Sequence, residues 1–218
     1  MRIKFPSLLW PGLVALTLLC ILVAPARAIV SDSLKLSAQD ITDLKRVQQN
    51  LNAAKTIRAR FLQVSSNGDY TGGDFALQRP GKLNLTYDQP NPLKVVADGT
   101  YISYIDRELN QATTLPIGWT RAELLLRDSL SFFGDDLIVT GFDRSPGVFR
   151  ISVVKADEPL EGNLTLIFSD VPLQIRKWVV TDSEGITTTV SLLDPAFNVP
   201  LDKQLFFYTP EDQQNDRN

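Results

Sequence analysis

Residues 74–116, DFALQRPGKLNLTYDQPNPLKVVADGTYISYIDRELNQATTLP, decide the fold. Turn-forming clusters at Arg79-Pro80-Gly81, Pro90-Asn91-Pro92 and Asp98-Gly99 cut this stretch into short runs. In residues 82–87, Leu83, Leu85 and Tyr87 alternate with Lys82, Asn84 and Thr86, the two-residue period of a strand with one oily and one wet face. Asp98-Gly99 separates two further strand-like runs, 93–97 and 100–106, and Asp-Gly in that setting is among the strongest short-range hairpin signals. The stretch reads as three or four antiparallel strands in succession, with register set locally.

Working outward, residues 57–64 also keep a period of two, Ala59, Phe61 and Gln63 alternating with Arg58, Arg60, Leu62 and Val64. Asn67-Gly68-Asp69 turns the chain into a second strand at 70–78, where Gly72-Gly73 suggests a bulge or sharp bend. Ahead of these lies a helix. Ser37-Ala38-Gln39-Asp40 resembles a capping box with Asp in place of the usual Glu or Gln, and Ile41, Leu44, Val47, Leu51 and Ala54 come after it at helical spacing. Downstream, Thr120-Arg121-Ala122-Glu123 reads as a second capping box introducing Leu124, Leu125, Leu126, Leu130, Phe132 and Phe133, and Gly134-Asp135-Asp136 ends the run. That segment is oilier than a surface helix needs, so it is either core or cover. Strand candidates resume at 137–142, 148–155, 163–168, 173–181, 186–193 and 204–208. About ten short strands with short turns fit an antiparallel barrel or strongly coiled half-barrel, its helices inside or across the mouth.

The chain has 218 residues, and no break in composition divides the part beyond residue 28, so 29–218 reads as one domain. Residues 1–28 have the layout of a secretory signal peptide: Arg2 and Lys4, an apolar run from Leu8 to Ala24, then Ala26-Arg27-Ala28 as an A-x-A cleavage site. Pro11 within the run and the small residues at its end favour cleavage over a retained anchor. Cys20, the single cysteine, would leave with this leader; Leu19 before it is too large for a lipidation pattern. The exported domain then has no disulfide and no cysteine metal site. Histidine is absent, which excludes Ser-His-Asp and Cys-His nucleophile systems and histidine-built zinc sites. Without Arg2, Lys4 and Arg27, 19 basic residues face 25 acidic ones, a net charge of −6. That sign argues against nucleic acid as a partner.

Carboxylates are numerous enough that an acid–base pair of the glycosidase kind stays open, although Asp135-Asp136, Asp157-Glu158 and Asp182 to Glu184 lie in turns where turn chemistry explains them. No GxxxxGK phosphate loop and no acidic metal loop occurs, so no cofactor is implied. Tyr87, Tyr101, Tyr104 and Trp119 read either as a sugar-stacking platform or as filler on a half-buried sheet. Asn163-Leu164-Thr165 matches a glycosylation sequon, but it falls in a strand. Arg79, between Leu77 and a Pro-Gly turn, reads by itself as an exposed loop arginine.

Arg79-Pro80 before an alternating strand, then VVADG, a Tyr-rich strand, Gln111-Ala112-Thr113 and a Leu-rich helix together resemble the periplasmic outer-membrane lipoprotein carriers, the LolA-like proteins. The likeness runs from about residue 37 to the end and rests on the order of several weak motifs. It implies a mainly β fold, an incomplete, strongly curved antiparallel half-barrel whose helices cover an apolar cavity. It implies a non-enzymatic monomer carrying triacylated lipoproteins from an inner-membrane ATP-binding-cassette exporter to an outer-membrane receptor. In this family an arginine at the matching place bonds carbonyls of the lid helix, which makes Arg79 a lid latch. Ile41, Leu44, Val47, Leu83, Leu85, Tyr87, Ile102, Tyr104, Leu124 and Leu125 would line the cavity. Two departures stand out: Arg121 sits where a helix-starting proline is common, and the positions near Leu83 and Leu85 lack a frequent aromatic. A general carrier of hydrophobic ligands and a carboxylate-dependent exported enzyme are the other readings.

The leader makes a direct prediction: N-terminal sequencing of the exported protein reads from Ile29, and a chain that keeps Met1 would overturn the cleavage.

Overall fold

The alternation read in residues 82–87 recurs in register across neighbouring strands. The structure, a computed structural model, describes residues 34–208, so the proposed leader at 1–28 lies outside the described residues. These form α1 (Ala38–Ala53), β1 (Thr56–Ser65), β2 (Tyr70–Gln78), β3 (Lys82–Tyr87), β4 (Leu93–Asp98), β5 (Tyr101–Asp106), β6 (Gln111–Pro116), α2 (Ala122–Leu126), β7 (Leu137–Ser145), β8 (Val148–Lys155), β9 (Gly162–Ser169), β10 (Gln174–Asp182) and β11 (Thr187–Phe197), with short 3-10 turns at Ile117–Trp119 and Lys203–Phe206. All eleven strands make one antiparallel sheet, ordered β6-β5-β4-β3-β2-β1-β11-β10-β9-β8-β7. β1 and β11 meet in the middle, and β6 and β7 are left as unpaired edges.

The inner face of one half is a straight row, Ile57 opposite Leu77, then Leu83, Ala97, Ile102 and Leu115. The other half contributes Val190, Trp178, Leu166 and Ile151 in the same way. Flat, eleven strands would set β6 and β7 about 48 Å apart. Residues from both halves nevertheless share one apolar cluster with Leu44, Val47 and Leu51 of α1 and with Leu124, Leu126, Leu130 and Phe132, so the sheet curls around them. The segment between β6 and β7 crosses the gap that the curl leaves open.

The structure differs from the sequence reading in four places. The Gly72-Gly73 pair is not a bulge: β2 keeps register with β1 and β3 through it, and the shifts fall between Arg58 and Arg60, Val139 and Gly141, and Ile175 and Lys177. Gly73 is needed because a Cβ there would lie 2.2 Å from the Thr86 carbonyl and 2.6 Å from the Phe61 ring. Thr120 makes no capping box; its hydroxyl bonds backward to the Ile117 carbonyl at 2.8 Å, and α2 has five residues rather than the whole of 120–133. Residues 204–208 are no strand. Asp202 caps a 3-10 turn there by accepting from the Gln204 amide. This turn packs on the outer face of β3 and β4 and buries Asn84, expected on the wet side, whose amide donates to the Leu205 carbonyl at 2.6 Å. The Ser37–Asp40 capping box is present in both directions, at 3.1 and 2.9 Å.

Close packing at Gly73 is testable. Gly73→Ala should lower the urea midpoint at unchanged slope, a loss of about 3 kcal/mol from overpacking a sheet interior. Wild-type stability would show that β2 has room there.

Candidate functional site

Arg79 ends the apolar run of β2, and the turn after it carries the side chain under the lid. Gly81 lets this turn form: it has φ of +78°, and a Cβ would lie 2.6 Å from Gly99 in the next hairpin. Only a glycine fits that close crossing of turns. Arg79 is 6% exposed, its guanidinium donating through Nε to the Leu125 carbonyl at 3.0 Å and through Nη1 to the Leu51 carbonyl at 2.6 Å. Beside it the Gly81 amide donates to the Leu126 carbonyl at 2.8 Å. One turn thus holds both α2 and the C-terminal end of α1. Burial pulls the Arg79 pKa down from its ordinary value and the Asp128 carboxylate pushes it back up; arginine stays charged through such shifts. The last turn of α1 contains no basic residue, so Arg79 brings from outside the cation that a helix C-terminus favours.

Leu44, Val47, Leu83, Tyr87, Ile102 and Leu124 are buried together in the apolar cluster, and Leu85 and Leu125 are half-buried against it. Two expected lining residues are not enclosed. Ile41 is 36% exposed because it lies on the lid-facing flank of α1 nearly two turns before the lid's reach ends at Gln48. Tyr104 sits on the inner row between Val95 and Thr113 but is equally open, next to edge strand β6. Inside the curl, Phe61 stands edge-on to Tyr87 at 5.1 Å and Phe75 meets Trp178 at 5.5 Å, so aromatic side chains of the apolar cluster take up part of the expected hollow. A groove of about 600 Å³ lies instead on the outer face, between Arg58, Asn84 and Lys94 and the segment at Leu201 and Leu205.

The Tyr87 hydroxyl donates to Gln63 Oε1 at 2.8 Å, which keeps this polar atom satisfied indoors. Burial, with Tyr104 nearby, raises the Tyr87 phenol above its ordinary value, and burial raises Tyr104 as well.

The sequence reading missed the other half of the lid's attachment. Gln48 and Asn52, about one helical turn apart on one flank of α1, and Lys55 just beyond its C-terminal end all bond residues 128–132. Asn52 Nδ2 donates to the Leu130 carbonyl and its Oδ1 accepts from the Leu130 amide, both at 2.9 Å. Gln48 Oε1 accepts from the Phe132 amide at 2.7 Å, and Lys55 Nζ reaches Asp128 Oδ1 at 2.9 Å. The turn spacing was visible; its partners, some eighty residues on, were not.

A curled open sheet with an apolar inner face, shut by a segment that a buried cation ties down, defines a class of protein built to cover hydrophobic matter. Among the described residues no helix is long and apolar enough to cross a membrane. The sequence pattern of the family described as outer membrane lipoprotein carrier protein LolA matches residues 52–209, which include Arg79 and the lid. An outer-membrane lipoprotein carrier protein of Azotobacter vinelandii is 29% identical over 191 residues, covering 84% of this chain and 91% of that protein. One from Pseudomonas syringae pv. syringae is 38% identical over 155 residues, covering 67% and 72%. One from Methylococcus capsulatus is 25% identical over 183 residues, covering 80% and 86%. The chain belongs to the LolA family of outer membrane lipoprotein carrier proteins.

The two inner-face phenols should ionise late in an alkaline ultraviolet titration, above the ordinary tyrosine range. Tyr87→Phe should remove absorbance from that late end; a loss in the ordinary range would show the phenol is not held indoors.

Proposed function

We propose that this protein is a periplasmic carrier that hides the acyl chains of triacylated lipoproteins in its apolar interior and moves them from the inner to the outer membrane. It would receive them from an ATP-binding-cassette exporter and deliver them to an outer-membrane receptor, acting as a monomer without cofactor and without making or breaking bonds. The observation that carries this reading is the buried guanidinium of Arg79, bonded to a lid carbonyl above an interior of apolar side chains. Membership of the carrier family supports the cargo assigned here.

The energetics suit reversible loading. Releasing α2 costs the charge-assisted Arg79–Leu125 bond, about 1.5–3 kcal/mol, and the Gly81–Leu126 bond, about 1 kcal/mol. Each acyl methylene taken out of water contributes about 0.8 kcal/mol, so roughly five methylenes offset the latch. A lipid opens the protein, and its departure lets the Arg79 bond re-form.

The test is uptake of a triacylated lipoprotein into a soluble complex by the purified domain, then release. Wild type should load and discharge. Arg79→Leu should load but release about tenfold more slowly, because the shut state has lost a bond worth at least that factor. Release at the wild-type rate would remove the latch role, and no uptake by either form would remove the carrier reading. Mass spectrometry of copurified ligand separates lipoprotein cargo from the general-carrier alternative.

A further inference from the structure

α1 is fastened on both flanks. On one, Asp40 and Asp43 meet Arg144 of β7 at 2.9 and 2.6 Å, and Arg46 meets Asp170 of the β9–β10 turn at 2.7 Å. On the other, Gln48 and Asn52 grip the lid at Phe132 and Leu130. The lid therefore has two kinds of seam. α2 touches the Arg79 turn through the guanidinium and one amide, whereas residues 130–132 are bound to α1 by half-buried side-chain amides that read backbone and leave Leu130 and Phe132 free to bury their side chains. The Asn52 pair is two-point, donor and acceptor on the same residue, and so fixes orientation as well as distance. At its other end the segment is tied by Arg121 to the Glu161 carbonyl and by Lys155 to the Gly118 carbonyl, the latter at 3.2 Å.

We infer that Gln48 and Asn52 are positioning residues that pin the C-terminal half of the lid, so that opening is confined to α2 between two fixed points. A helix of five residues has no stability of its own once it leaves its packing. The stretch 122–127 spans about 9 Å as helix and about 20 Å extended. Unwinding it frees roughly 10 Å of slack with neither pin moving, so the aperture opens over Leu124 and Leu126, next to the Arg79 turn. This deepens the carrier reading by placing the entry for acyl chains, yet the pinning exists whether or not that reading stands.

Residue-resolved amide hydrogen exchange decides it, with each rate corrected for its intrinsic value. In the free protein the Gly81 amide, whose acceptor is Leu126, should be at least about tenfold less protected than those of Leu130 and Phe132, because it reports the seam that opens. Adding a synthetic tripalmitoylated cysteinyl peptide should strip the remaining protection from Gly81 and leave Leu130 and Phe132 unchanged. Asn52→Leu should expose the Leu130 amide and Gln48→Met the Phe132 amide, while Asn52→Asp, which keeps the acceptor, should preserve Leu130. If Asn52→Leu fails to fold by circular dichroism, the wild-type ranking and Gln48→Met still decide between pinned and free. Leu130 and Phe132 exchanging in step with Gly81 would overturn the pin. A peptide that does not bind counts against the carrier reading instead, and the free-protein ranking still judges the hinge.

Discussion

One buried guanidinium organises this molecule. Placing a cation indoors costs several kcal/mol unless it is paired or hydrogen-bonded, and Arg79 donates twice to neutral carbonyls, one at the end of α1 and one in α2. A carboxylate partner would have produced a buried ion pair whose rupture costs about 3–5 kcal/mol, too firm for the proposed latch. Carbonyls give a weaker grip. The nearest favourable charge, Asp128, lies in the exposed part of the lid, where water screens it. Arg79 thus joins α1 and α2 through bonds weaker than a buried ion pair, as the proposed latch requires.

The need for a lid comes from the sheet. A closed barrel has no edges and needs no cover; here the two edges stay apart, and among the described residues the 117–136 connection joins them. That connection is mostly irregular. Its polar backbone must find partners under cover, and the flank of α1 and the β2–β3 turn supply them. The same constraint explains why Gln48 and Asn52 spend their amides on backbone rather than on water.

What was legible in the sequence was whatever local chemistry settles. Alternation gave the strands of residues 82–106, Asp98-Gly99 gave their hairpin, and Ser37 with Asp40 gave the start of α1. Residues 204–208 were misread because a short apolar run is ambiguous between strand and helix until its cap is weighed, and Asp202 is that cap. Asn84 looked wet because the segment that covers it arrives some 120 residues later. Gly73 looked like a bulge because the ring it makes room for is on the neighbouring strand. Arg79 is the sharpest case: its neighbours in sequence describe a loop, its burial depends on two distant helices, and only the family likeness pointed inward. Gln48 and Asn52 had no such pointer, since a helix flank that holds a lid has the composition of one that faces solvent.

A tightly packed apolar cluster is what an unloaded carrier of this design requires. Keeping even 400 Å³ empty for acyl chains would cost about 10 kcal/mol at about 24 cal/mol per Å³, comparable with the whole stability of a domain. The shut protein therefore draws together, with Phe61, Phe75, Trp178 and the lid leucines packed in one apolar cluster. Collapse has a thermodynamic consequence for transport. Entering chains displace side chains already out of water, so the net gain per methylene falls below the transfer value, and the loaded and shut states come close in free energy. In the proposed cycle, small shifts in the balance between open and shut forms are then enough to favour loading or release.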